Sequence, residues 1–164
     1  LALFYGGMTR SKNVLNTYAM VFGAFIVAFV VWIIAGYSIA FGANENATMQ
    51  KFFGGFTNVM LNGINYDDLS GTYPTYVFIV FQGTFAAITV AVASGSIIER
   101  MKFSTWMIIV TLWGLIVYAP VAHMVWGGDG ALLFDAGALD FAGGTVVHMN
   151  GGLAGLILAI LVGK

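Results

Sequence analysis

Four stretches of this chain carry no formal charge and are each long enough to cross a bilayer, which takes about 20 residues as helix: Thr17–Phe41, Tyr73–Ile98, Phe103–Val125 and Phe141–Val162. A fifth apolar piece, Leu1–Met8, reads as the tail of a truncated span. Backbone groups in lipid must bond to one another, so only helices and closed barrels can cross. Barrel strands are short and alternate apolar with polar residues, whereas these runs are long and uniformly apolar, so helices are expected. Composition agrees: the chain is 60% hydrophobic and 8% charged, against about 25% charged residues in soluble domains. That much apolar surface needs lipid around it. The expected fold is therefore an all-α membrane protein with about five transmembrane helices, the first truncated.

The connections alternate in charge. Thr9–Asn16 holds Arg10 and Lys12, the turn Glu99–Lys102 holds Arg100 and Lys102, and Lys164 closes the chain. Gly42–Thr72 holds Glu45, Asp67 and Asp68 against Lys51, and Gly127–Asp140 holds Asp129, Asp135 and Asp140 without a cation. Under an alternating topology five of the six cations fall on one side, which the positive-inside rule makes cytoplasmic. The Arg10/Lys12 and Arg100/Lys102 connections are then cytoplasmic, in a multi-pass protein of the cell membrane. Asp140 and Trp126 lie at the outer face. His148 follows eight residues later, about 12 Å deeper if the intervening chain is helical. The long segment Gly42–Thr72, with Phe52-Phe-Gly-Gly-Phe56, is expected to form a short helix on the outer surface.

Much else is excluded. A net charge of −1 carries no nucleic-acid footprint, and the lack of cysteine rules out a disulfide framework. No P-loop, dinucleotide fingerprint or His-Glu-x-x-His motif occurs, and no His is tied by a motif to Ser94-Gly-Ser96, so an intramembrane protease is not expected. Leu1–Gly7 has neither an initiator Met nor a basic leader, so no signal peptide is expected and the chain reads as part of a longer polypeptide. An odd number of spans would place a homologous second half in the opposite orientation, the inverted repeat found in many transporters.

The most informative stretch is Asp140-Phe-Ala-Gly-Gly-Thr-Val-Val-His148-Met-Asn150, because His148 is the one ionisable side chain between Phe141 and Val162. Such groups inside spans are costly and point to function. Three readings stand: a His bonded to a neighbouring helix, a metal ligand for which only His123 and distant acids are on offer, or a pore-lining imidazole. An uncharged imidazole donates from one nitrogen and accepts at the other, so it can pass a small polar solute or relay a proton. Asp140 is expected to cap the following helix and to place negative charge at the outer mouth. Phe81 and Phe85, four residues apart, share a helix face; they pack, face lipid or gate. Trp126 is an interfacial anchor or a cation–π wall. Gly143-Gly144 and Gly151-Gly-Leu-Ala-Gly155 are expected to serve close helix packing.

These residues resemble the ammonium transporter family, relatives of the Rhesus proteins. The resemblance rests on the Asp140–Asn150 stretch and on Phe4-Tyr-Gly-Gly-Met-Thr-Arg-Ser-Lys-Asn13, Phe81-Gln-Gly-Thr-Phe85, Ser94-Gly-Ser-Ile-Ile-Glu-Arg100 and Ala122-His-Met-Val-Trp-Gly-Gly128. It implies that residues 1–164 form a partial transporter domain, from the end of helix 1 through helix 5. That is the first half of an inverted-repeat fold of about eleven helices, homotrimeric with one pore per subunit. It implies transport of ammonium or ammonia, and methylammonium as an analogue, with no enzymatic activity, cofactor or metal. Trp126 would border the outer recruitment site with Phe85 and Asp140. Phe81 and Phe85 would form the phenyl gate, His148 would be the first of two pore histidines, and Phe4 and Tyr5 would line the cytoplasmic exit. The second histidine, a second gating Phe and a serine of the outer site belong to the other half. A cytoplasmic regulator of the PII type is an implied partner. An ammonium sensor of the same fold, or a half-transporter inactive alone, is the alternative.

Overall fold

The computed structural model describes residues 1–163. Its helices are α1 (Ala2–Met8), α2 (Ser11–Phe41), α3 (Thr75–Ser96), α4 (Phe103–Trp126), α5 (Leu132–Asp135) and α6 (Gly144–Val162). α2, α3, α4 and α6 are each long and apolar enough to cross a membrane, which matches the four charge-free runs. Two residue pairs, β1 (Leu69–Ser70) and β2 (Tyr73–Pro74), form a small antiparallel ladder just before α3. That ladder is why α3 begins at Thr75 rather than Tyr73.

Three turns widen to π geometry, at Trp32–Gly36 in α2, Gly114–Tyr118 in α4 and Gly144–Met149 at the start of α6. The second has a covalent cause. Pro120 has no N–H to give to the carbonyl of residue 116, so the ladder must adjust there. The first two widened turns meet in the core, where the Trp32 and Tyr118 rings cross edge to face at 6.2 Å.

Small residues let the spans approach. Ala24 and Ala28 of α2 and Ala87, Val90 and Ala93 of α3 share one buried cluster with Met20 and Trp106. In lipid, helices associate through such packing and through hydrogen bonds rather than by exclusion from water. The buried indoles accordingly donate to backbone: Trp32 Nε1 to the Ile79 carbonyl at 3.0 Å and Trp106 Nε1 to that of Met20 at 3.2 Å. Among the glycines expected to serve close packing, Gly151 does so, since a Cβ there would sit 3.1 Å from the Thr89 carbonyl oxygen. Gly143 does not. It adopts φ +76°, a left-handed turn that ends the preceding loop.

The surface helix expected within Gly42–Thr72 is absent among the described residues; the segment instead makes single turns of 3-10 helix at Met49–Lys51 and Val59–Leu61. Its conformation is set by attachment to α2. Gly54 N–H donates to the Ile39 carbonyl at 2.7 Å, and the buried Ser38 hydroxyl donates to the Gly55 carbonyl while accepting from Asn58 N–H, both at 3.0 Å. Backbone groups tied to a neighbouring helix are not free to build a helix of their own.

The chain connections separate into two ends. Arg10 pairs with Glu99 at 2.9 Å, and Arg100 donates to the Gly163 carbonyl at 2.7 Å. The Arg10/Lys12 and Arg100/Lys102 turns and the last turn of α6 therefore share one end, as alternation requires. Glu99 also accepts from Asn13 Nδ2 at 2.7 Å. The Arg10 side chain, followed by that of Asn13, holds the Glu99 carboxyl at about 2, well below its ordinary 4.5. A lowered carboxyl pKa gives a stabilisation that is complete above the unfolded value and is lost as pH falls through the folded one. Glu99→Gln is expected to lower the Tm of the detergent-solubilised full-length gene product near neutral pH. The gap from wild type should close as pH is brought from about 4.5 toward 2. A gap that is constant across that range would mean that the clasp is not electrostatic.

Candidate functional site

At the other end of the bundle, α3, α4 and the start of α6 enclose a cleft of about 300 Å3. Phe81, Gln82 and Phe85 line it from α3, Trp126 from the last turn of α4, and Asp140 and Phe141 from the chain entering α6. The helical spacing that put Phe81 and Phe85 on one face holds. Their rings meet edge to face at 4.8 Å, and Phe85 lies 5.9 Å from Trp126. Thr84 and Thr89 donate their hydroxyls to the Phe81 and Phe85 carbonyls, both at 2.6 Å, so neither hydroxyl is left unbonded beside the rings.

Asp140 organises the wall. One carboxylate oxygen accepts from Gly144 N–H at 2.7 Å, and the other accepts from Thr145 and Val146 N–H, each at 2.9 Å. It thus caps α6 as expected, but from outside the N-cap position, which Gly143 occupies. A carboxylate there also complements the positive end of the helix dipole. Its backbone carbonyl accepts from Trp126 Nε1 at 2.9 Å. One residue therefore fixes both the helix start and the indole. With three amide donors on its carboxylate, Asp140 places a fixed negative charge in the cleft wall.

His148 lies one turn into α6. Since the helix starts at Gly144 rather than at Asp140, the helical rise to His148 is about 6 Å, shorter than the 12 Å reckoned from the sequence. Its Nδ1 is 3.0 Å from the Gly143 carbonyl oxygen. A carbonyl can only accept, so Nδ1 carries the proton and an uncharged ring presents Nε2 as an acceptor. The side chain is exposed in this chain, so no neighbouring helix among the described residues covers it. The bond to a neighbouring helix that one reading of His148 called for does not occur among the described residues.

His123 was expected only as a distant partner for His148. It is fully buried, with Nδ1 2.8 Å from the Ala40 carbonyl oxygen and Nε2 2.7 Å from that of Gln50. One ring nitrogen faces α2 and the other faces the 42–72 segment, so neither is free for a metal shared with His148.

Phe4 and Tyr5 stand at the opposite, basic end. Tyr5 donates its hydroxyl to the Val92 carbonyl at 2.9 Å and, with Met8, Arg10, Gly95 and Glu99, lines a cleft of about 270 Å3. Phe4 is exposed, 6.0 Å from the Tyr5 ring. The structure thus gathers Phe81, Phe85, Trp126 and Asp140 at one end and Phe4 and Tyr5 at the other. Sequence reasoning passed over Gln82, although an amide inside a charge-free span is itself a signal, since leaving it unpaired in lipid is costly.

Comparison with known proteins extends over the whole chain. The family model described as Ammonium Transporter Family matches residues 1–164. An ammonium transporter of Aquifex aeolicus is 49% identical over 164 residues, which is all of this chain and 38% of the relative. One of Bacillus subtilis is 46% identical over 166 residues, again all of this chain and 39% of the relative. The crystal structure of Candida albicans Mep2 superimposes with a TM-score of 0.86 at 35% identity, covering 99% of this chain and 35% of that one. The chain therefore spans less than two-fifths of the length of these relatives.

Proposed function

The chain belongs to the Ammonium Transporter Family, and on that premise we propose that it forms one half of a conduit for ammonium, from an outer recruitment cleft to the first pore histidine. The observation that carries this reading is the cleft itself: Phe85 lies between Phe81 and Trp126, next to an acid that holds both the indole and the head of the helix bearing His148. The cleft is the outer mouth, and the Arg10/Lys12 and Arg100/Lys102 turns face the cytoplasm.

Ammonium is drawn to the faces of Phe85 and Trp126 and to the field of Asp140. It does not cross as an ion, because the idealised cost of moving a charge into hydrocarbon is on the order of 20 kcal/mol. It gives up a proton to water of the outer solution beside the Phe81–Phe85 constriction, and ammonia continues alone. Ammonia has N–H donors, and His148 Nε2 is an acceptor placed one turn below the helix head. Phe4 and Tyr5 line the cytoplasmic exit. The working protein is a homotrimer in the cell membrane, moves methylammonium as an analogue, and is met from the cytoplasm by a PII-type regulator.

Trp126→Leu keeps the apolar bulk but removes the indole face and its bond to the Asp140 carbonyl. It is expected to raise the half-saturating ammonium concentration of the full-length gene product in reconstituted vesicles about 10-fold. Unaltered half-saturation in this variant would take the aromatic cleft out of recruitment.

A further inference from the structure

We propose that Gln82 is a specificity-determining residue of the recruitment cleft: its side-chain carbonyl accepts an N–H from the incoming cation and favours cations that carry hydrogen-bond donors. Gln82 follows Phe81 and precedes Phe85 by three positions on α3. It is only 9% exposed, and its Oε1 is buried with no hydrogen-bond partner among the described residues. The same side chain lines the cleft with Phe81, Phe85, Trp126 and Asp140.

Buried polar atoms in folded proteins nearly always have a partner, and one that lacks it calls for an explanation. The other polar groups around the cleft are already committed to the fold. Trp126 Nε1 donates to the Asp140 carbonyl, and both Asp140 carboxylate oxygens accept from the head of α6. Gln82 Oε1 is thus a buried acceptor beside the rings that the described residues leave unbonded.

Its chemistry complements that of the rings. An aromatic face attracts cations through its quadrupole without asking whether they carry N–H groups. An amide oxygen is directional and needs a donor. Ammonium offers four N–H groups, each methyl substituent removes one, and tetramethylammonium offers none. A single amide oxygen replaces little of the hydration shell of an alkali cation. Because the amide is neutral, it orients the ammonium without competing for the proton that ammonium must lose.

This inference rests on the ammonium reading of the cleft, and one experiment separates the two. Ammonium uptake, and its inhibition by tetramethylammonium, are measured in vesicles holding the full-length gene product as wild type, Gln82→Met and Gln82→Glu. Met keeps the length of the side chain and removes the acceptor, whereas Glu keeps an acceptor in nearly the same shape. The half-saturating ammonium concentration is expected to rise about 10- to 100-fold in Gln82→Met, with tetramethylammonium inhibition unchanged, and to stay closer to wild type in Gln82→Glu. A wild-type protein that transports ammonium, with Gln82→Met matching it, would overturn the role of Gln82 and leave the transport reading standing. So would equal weakening of ammonium and tetramethylammonium. If Gln82→Met does not fold, a Gln82→Glu protein as impaired for ammonium as Trp126→Leu overturns it instead. A wild-type protein that moves no ammonium overturns both.

Discussion

Replacing Asp140 with alanine is expected to abolish ammonium uptake by the full-length gene product and to destabilise it by about 2 kcal/mol or more. Three amide donors at the head of α6 lose their acceptor together, and the helix dipole goes uncompensated. The damage spreads along two routes. The chain turn that presents the Asp140 carbonyl to Trp126 Nε1 loosens, so the indole is freed. The first turn of α6 frays, and His148 goes with it, since its Nδ1 is held by the Gly143 carbonyl at the same turn. Asp140→Asn separates architecture from charge. It retains one oxygen for the amides and removes the negative field, so it should recover part of the stability while uptake stays low. Uptake at the wild-type level in Asp140→Asn, with thermal unfolding in detergent read alongside, would show that the charge is dispensable and that Asp140 serves only the fold.

Substituting His148 by alanine is expected to cut ammonium flux about 10-fold or more, or to change which species carries it, with little loss of stability. The asymmetry comes from its surroundings. Among the described residues His148 is exposed and bonds only to Gly143 in its own turn, so removing the ring leaves the packing of this half unchanged. On the proposed path, what disappears is the acceptor that His148 Nε2 offers to ammonia. His148→Gln restores a group able to accept and donate and should return part of the flux. Flux and selectivity in His148→Ala equal to wild type would remove His148 from the mechanism.

The spans were legible because their signal is local. A charge-free run of membrane length has few ways to satisfy its backbone, and α2, α3, α4 and α6 lie on the four runs with shifts of a few residues. Two of the shifts have a cause in the adjoining turn: Gly143 in a left-handed conformation moves the start of α6, and the β1–β2 pair moves the start of α3. The aromatic pair Phe81–Phe85 was legible from spacing alone. Partners distant in sequence were not. Nothing near Gly42–Thr72 announces that Ser38 and His123 would hold it, although that attachment replaces the expected surface helix with isolated turns. The double role of Asp140 was half visible, since a capping acid before a glycine pair can be read locally, but its carbonyl bond to Trp126 joins residues from two elements. Gln82 was hidden by its motif, in which the phenyl rings drew attention away from the one amide between them.

Every role proposed for the cleft requires that the full-length protein take up ammonium selectively and pass it across the membrane. The most direct test reconstitutes the full-length wild-type protein in vesicles and imposes equal inward gradients of ammonium and of potassium in separate runs, following luminal pH and membrane current. Saturable ammonium movement well above protein-free vesicles is expected, with potassium movement indistinguishable from them. Ammonium movement no greater than in protein-free vesicles, or potassium passing as readily as ammonium, would contradict the proposed function.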